Sequence, residues 1–199
     1  MQNFEQTKAE LAAFLREKSV FHGDFTLASG GKSNVYVDCK LTTFHPRGAW
    51  LVGQVMHEVI RRAQKELGAT VDGVGGLTMG SDPIALAVGM ISFWLNEPAP
   101  LLTFSVRKTP KSHGQTKLVE GNFRRGDSVV VIDDVVTRGE STLKAIDAVL
   151  QEGGKVAFVA VLVDREEGGR QKIEARGLRV VSAFNRAVIF GNNNSADAV

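Results

Sequence analysis

The stretch VVVIDDVVTRGEST, residues 129–142, gathers the side chains with the most chemistry to offer. An apolar run leads into two carboxylates, Asp133 and Asp134. Thr137, Arg138, Gly139, Glu140, Ser141 and Thr142 follow. A short loop with hydroxyls, backbone N–H groups and a helix N-terminus makes a cradle for an anion. Gly139 lets the backbone approach a phosphate closely. A pair of acceptors beside such a cradle suits a ligand with both phosphate and sugar hydroxyls, or bound Mg²⁺. Side chains alternate along a strand, so the two aspartates face opposite ways if the strand persists, and they must have different jobs. The plainer alternative is a strand-to-helix turn with an acidic cap, against which the hydroxyl-rich loop argues.

A second candidate is RKTPKSHGQTKLVEG, residues 107–121. It holds Arg107, Lys108, Lys111, His113 and Lys117 against the single acid Glu120. Pro110, Ser112 and Gly114 disfavour a regular element. The segment reads either as a solvated basic hairpin tip or as a lid whose cations close over a polyanion, and long irregular loops are often functional. GGKS at 30–33 raises a P-loop nucleotide-binding site. That pattern needs glycine at position 26, which is Thr26, and HGDFTLAS before it lacks a convincing buried strand. The P-loop reading is rejected.

Elements must position these residues. Asn3 and Gln6 resemble a capping box, followed by the helical spacing of Phe4, Leu11, Phe14 and Leu15. SNVYVDCK alternates like a strand. Over residues 47–67, Leu51, Val55, Val59, Ala63 and Leu67 recur at helical spacing, and Gly68 sits where a helix stops. TVDGVGG reads as a short strand ending near Val74, with Asp82 and Pro83 as cap and first turn of the next helix. LLTFSV, SVVVI, KVAFVAVLVD and LRVVSAF read as strands, and residues 140–153 as a helix. The run SVVVI has no polar alternation, which predicts cover on both faces. Strands alternating with helices predict an α/β fold with a mostly parallel central sheet flanked by helices, its ligand crevice beyond the carboxyl ends of the strands.

The whole chain sets bounds. Its 199 residues suit one domain, and the polar tail 191–199 is expected to fray. Composition is 43% hydrophobic and 23% charged, ordinary for a soluble protein. A net charge of +2 gives no argument for nucleic acid. The one cysteine, Cys39, forbids an internal disulfide, fits a reducing compartment, and reads as a half-buried packing residue. The start MQNFEQTKAE has no apolar run of a signal peptide, and the longest uncharged apolar stretch, residues 83–95, is too short to span a bilayer. A cytoplasmic protein with no membrane partner is expected.

Together these blocks resemble a type I phosphoribosyltransferase. VVVIDDVVTRGEST is similar to that family's signature for 5-phosphoribosyl 1-diphosphate, which does not choose the base. FTLASGGKSNVYVD, the basic segment 107–121 and LVDREEGGR resemble orotate phosphoribosyltransferases, in the order and spacing of that family, over about residues 4 to 186. The resemblance implies a small N-terminal hood region, about residues 1–45, and a flexible lid at 107–121. It implies that Arg107, Lys108, Lys111 and His113 contact the diphosphate, and that Asp133 and Asp134 hold the ribose hydroxyls, directly or through Mg²⁺ and water. Val135, Val136, Thr137, Arg138, Gly139, Glu140 and Ser141 would wrap the 5′-phosphate. Thr137 and Arg165 would touch orotate. A rigid guanidinium fork suits a carboxylate, although Arg165 also has Glu166 and Glu167 beside it as surface partners. Lys111, His113, Asp133 and Asp134 are the implied catalytic residues, Mg²⁺ the implied cofactor, and a homodimer with lids acting in trans the implied assembly. The chain departs from some relatives at Met79 and Ala28, where those carry lysine, so backbone N–H groups of the loop at 75–82 must carry more of the diphosphate. A purine phosphoribosyltransferase and a non-catalytic regulator of the same fold are the alternatives.

Overall fold

The structure, a computed structural model, describes residues 3–26, 32–109 and 117–191. Ala28, Lys111, His113 and most of the polar tail lie outside the described residues. Helix α1 (Phe4–Ser19) begins at Asn3, whose side chain accepts a 3.1 Å hydrogen bond from Glu5 N. Strands β1 (Val20–Thr26) and β2 (Lys32–Val37) pair antiparallel as a separate two-stranded sheet. The short helix α2 (Lys40–Thr43) leads into α3 (Pro46–Leu67), which stops at Gly68 as its spacing predicts. Then come β3 (Gly73–Leu77), α4 (Asp82–Trp94), β4 (Leu102–Val106), β5 (Val119–Gly121) and β6 (Ser128–Val136). The chain continues through α5 (Glu140–Gln151), β7 (Lys155–Asp164), α6 (Gly169–Glu174), β8 (Val180–Asn185) and α7 (Arg186–Phe190).

The main sheet has the order β5-β4-β3-β6-β7-β8 and is parallel except for the β4–β5 pair. This is the α/β architecture that the alternating elements predict. The unbroken apolar run of β6 has a simple cause. Val130 and Ile132 enter a core with α1, α3 and α4, while Val129 and Val131 enter a second core containing Ala145, Ile146 and Val149 of α5. Both faces are covered, so neither set of alternate positions can be polar. Ile132 and Ile146 are fully buried, one in each core, and each contributes about 1.5–3 kcal/mol.

Several elements differ from the sequence reading. Strand β3 ends at Leu77, not near Val74, and its glycines lie inside it; glycine is a poor strand former, which hides such a strand. Strand β6 runs through both aspartates to Val136. Ser81, not Asp82, precedes α4. The end of the basic segment forms β5, so the segment is not irregular throughout. Cys39 is fully buried, not half-buried, and burial pushes its thiol well above the ordinary range. Strand β1 and the short helices α2, α6 and α7 carry too few periodic residues to be read. No helix among the described residues is long and apolar enough to cross a membrane.

Candidate active site

Strand order reverses between β3 and β6. From β3 the chain crosses to β4 on one side, and from β6 to β7 on the other. A crevice opens at such a reversal, beyond the carboxyl ends of the strands. Two chain segments meet there, the loop 78–81 after β3 and the aspartate pair of β6. They touch at Gly80, where a Cβ would lie 2.6 Å from Asp134 Oδ1. Only glycine lets this loop rest against the carboxylate.

The pair divides as strand alternation requires. Asp133 points to the α5 side, like Val129 and Val131, and is only 6% exposed. Its Oδ2 accepts from Thr142 Oγ1 at 2.6 Å and its Oδ1 from Asp134 N at 3.1 Å. Burial, then the charge of Asp134, raises its pKa to about 7. Asp134 points to the crevice, is partly exposed, and among the described residues accepts from Val135 N at 2.9 Å. The resemblance implies that both carboxylates reach ligand; in the structure Asp133 is buried and hydrogen-bonded to Thr142 and Asp134 N, as a buried carboxylate must be, while Asp134 is the more exposed of the two.

The loop between β6 and α5 is only three residues long, 137–139, and Gly139 has φ +79°. The sequence reading began the cradle at Val135. Val135 and Val136 belong to the strand, and Val136 is buried with its carbonyl taken by Arg165 N. From Thr137 to Thr142 no backbone N–H donates to an acceptor among the described residues. Six N–H groups at one helix start, with the Thr137 and Ser141 hydroxyls, make a concentrated anion site. Arg138, Glu140 and Ser141 are exposed around it.

Arg165 follows β7, next to this cradle. Val136 and Asp164 are register partners, and Gly169 N donates to Thr137 O at 2.8 Å. Arg165 pairs through Nη2 with Glu167 Oε1 at 2.8 Å, and its side chain is 11% exposed. Its Nε is buried without an acceptor among the described residues. The turn is braced by Asp164, which accepts from Arg170 Nε at 2.7 Å and from Glu166 N at 2.9 Å.

Arg107 and Lys108 stand at the root of the basic segment. Arg107 N donates to Leu118 O at 2.9 Å, its guanidinium lies 3.9 Å from Glu120, and Lys108 is exposed. The loop 78–81 is stapled to the same root. Asp82 accepts from Thr78 Oγ1 and Ser105 Oγ, each at 2.7 Å, and Thr78 N donates to Val106 O at 2.8 Å. This leaves the N–H groups of Met79 and Gly80 without an acceptor among the described residues. Met79 itself is exposed. Asp82, Asp164 and Arg170 carry little sequence signal of their own, and Asp82 reads as a cap. Their signal was position, each lying within two residues of a strand end or loop already flagged.

A mostly parallel sheet with a carboxylate and an N–H cradle at its reversal point is the architecture of a phosphate-binding α/β protein, and its solved relatives narrow it to the type I phosphoribosyltransferase fold. No protein-family model matches the chain. An orotate phosphoribosyltransferase of Aquifex aeolicus is 41% identical over 180 residues, covering 89% of this chain and 94% of that one. One of Rhodopirellula baltica is 40% identical over 172 residues, covering 86% and 88%. The Mycobacterium tuberculosis orotate phosphoribosyltransferase solved with Fe(III) dicitrate superposes with a TM-score of 0.77 at 39% identity, covering 92% of this chain and 99% of that one. A structure of the same enzyme in complex with 5-phospho-alpha-D-ribosyl 1-diphosphate gives 0.70 at 33% identity, covering 92% of both chains. The chain belongs to the orotate phosphoribosyltransferase family.

Proposed function

We propose that this chain transfers the ribose 5-phosphate group from 5-phosphoribosyl 1-diphosphate to N1 of orotate, giving orotidine 5′-monophosphate and diphosphate. The observation that carries this reading is the row of N–H groups from Thr137 to Thr142, without an acceptor among the described residues, beside the Asp134 carboxylate. The cradle takes the 5′-phosphate, with Thr137, Arg138, Gly139, Glu140 and Ser141 around it. Asp134 accepts from the ribose hydroxyls. Met79 N, Gly80 N and the cations Arg107, Lys108, Lys111 and His113 take the diphosphate, and Arg165 takes the orotate carboxylate. Orotate N1, its proton lost, forms its bond to ribose C1 as the C1–O bond to diphosphate breaks, with inversion. The leaving diphosphate departs with the bonding pair. Fixed donors and lid cations stabilise it best as its charge develops, and lid closure keeps water from the oxocarbenium-like carbon.

Mg²⁺ fits this site as a substrate-borne ion. No cluster of three or more metal-ligating side chains occurs among the described residues, and Asp134 is the one carboxylate of the pair turned to the crevice. Mg²⁺ is commonly bound by one or two carboxylates plus substrate phosphates. When bound it would offset charge on the diphosphate.

We read the chain as one catalytic domain working in the cytoplasm as a homodimer. Leu86, Met90 and Phe93 follow each other at helical spacing on α4 and are all exposed, Phe93 by 73%. Exposed Trp94 and Trp50 extend this face, their rings 5.6 Å apart. So large an apolar stripe suits a partner, here a second copy. Two experiments test the reading. A screen with orotate, adenine and hypoxanthine should consume orotate alone. Lys111→Ala and Asp134→Asn chains, each inactive, should regain activity when mixed, because one site of the mixed dimer then has both an intact carboxylate and the partner's intact lid. No recovery after proven subunit exchange would remove the lid from its trans role.

A further inference from the structure

We propose that Glu167 is a specificity-determining residue, a built-in rival carboxylate that holds Arg165 until an acceptor base brings a carboxylate of its own. The inference rests on the reading of Arg165 as the group that binds the orotate carboxylate. A guanidinium grips a carboxylate side-on through Nε and Nη2 together. Here Nη2 is held by Glu167 at 2.8 Å, while Nε is buried with no acceptor among the described residues. Glu167 thus fills one half of a two-point subsite and does not bond the other. Phe190 of α7 lies against the same guanidinium, 5.7 Å from its carbon to the ring centre, so the group has little freedom to turn away.

The surroundings are built for exchange. The backbone of the turn is fixed, with Glu166 in the left-handed region at φ +58° and its N–H held by the buried Asp164. The Glu167 side chain is a third exposed and can move. It also has a second cation waiting, since Arg186 Nη1 lies 3.8 Å from the same Oε1. When a substrate carboxylate takes Nε and Nη2 of Arg165, Glu167 passes to Arg186. One carboxylate replaces another, and no charge is left unpaired at either end. A pyrimidine without a carboxylate, such as uracil, has nothing to exchange and leaves the Arg165–Glu167 pair closed.

Steady-state kinetics with each substrate varied separately test this. Glu167→Gln should lower the KM for orotate about 2- to 5-fold, the value of a partly exposed ion pair, and leave that for the phosphoribosyl donor unchanged. Glu167→Ala, which cannot accept at all, should lower it at least as far. Arg186→Ala should raise the orotate KM in the parent, by depriving the displaced Glu167 of a partner, and should have no effect in the Glu167→Gln background. A raised or unchanged orotate KM in both Glu167 variants would overturn the proposal, as would an Arg186→Ala effect that persists without Glu167. Arg165→Ala keeps the two claims apart. If it leaves the orotate KM unchanged, the reading of Arg165 itself fails; if it raises the KM while the Glu167 variants do not lower it, only the rivalry fails.

Discussion

The Thr142 hydroxyl donates a 2.6 Å hydrogen bond to the Asp133 carboxylate, joining the middle of β6 to the first turn of α5. Both residues are buried. The bond fixes where α5 starts relative to the strand, and therefore where the N–H groups of residues 137–142 converge. Asp133 serves the phosphate cradle through Thr142, and Asp134 faces the crevice.

The two aspartates should respond differently to substitution. Asp133→Ala leaves the buried Thr142 hydroxyl and Asp134 N–H without their acceptor, and should cost about 1–3 kcal/mol of stability. Asp134→Asn should keep the parent's melting temperature and lower turnover roughly 10²–10³-fold. Thermal melts and initial rates on both variants check this. Equal melting temperatures for Asp133→Ala and the parent would remove the strut.

Gly80→Ala should act on the donor. Its Cβ would fall 2.6 Å from Asp134 Oδ1, too close for any real contact, so the loop 78–81 must lift off the carboxylate. The KM for 5-phosphoribosyl 1-diphosphate should rise roughly 10–100-fold, with stability little changed. A donor KM equal to the parent's would show that the loop does not meet the diphosphate.

Arg165→Ala should raise the KM for orotate far more than that for the donor. A substrate carboxylate without its partner loses about 1.5–3 kcal/mol, on the order of 10–150-fold. Equal changes for both substrates would contradict the assignment.

Much of this was legible in sequence where a period or a cap repeats. The α3 spacing, its stop at Gly68, and the apolar run of β6 are such signals. The chemistry of VVVIDDVVTRGEST was legible because hydroxyls, glycine and carboxylates at a strand end have few other uses together. The division between Asp133 and Asp134 followed from alternation, but which one is buried did not, since the register of β6 against α5 is a tertiary fact. Strand β3 reads short from sequence because Gly75 and Gly76 suggest a turn. The Glu97 cluster went unseen because its members, His57, Arg61, Ser92 and Glu97, meet only when α3 and α4 pack.

That cluster sets an acid limit on stability. Burial opposes the Glu97 charge, but bonds from Arg61 and Ser92 and the neighbouring His57 and Arg61 charges outweigh it, and its pKa falls from 4.5 to about 2. A carboxylate depressed on folding stabilises above its unfolded pKa. Its contribution, about 2–3 kcal/mol, is therefore lost as pH falls from about 4.5 to about 2. Burial also lowers the His57 pKa, so His57 adds a loss of the same sign that begins below its ordinary 6.5. In urea titrations at several pH values, Glu97→Gln should be less stable than the parent at pH 6 and should lose less on acidification below 4.5. Parallel curves for the two proteins would discount the cluster.

The most direct test of the central claim is the loss of orotate absorbance on mixing the protein with orotate, 5-phosphoribosyl 1-diphosphate and Mg²⁺. The expected result is a decline that needs the donor and the metal, yields orotidine 5′-monophosphate, and largely disappears in Asp134→Asn. No decline with folded protein, or consumption of adenine or hypoxanthine in place of orotate, would contradict it.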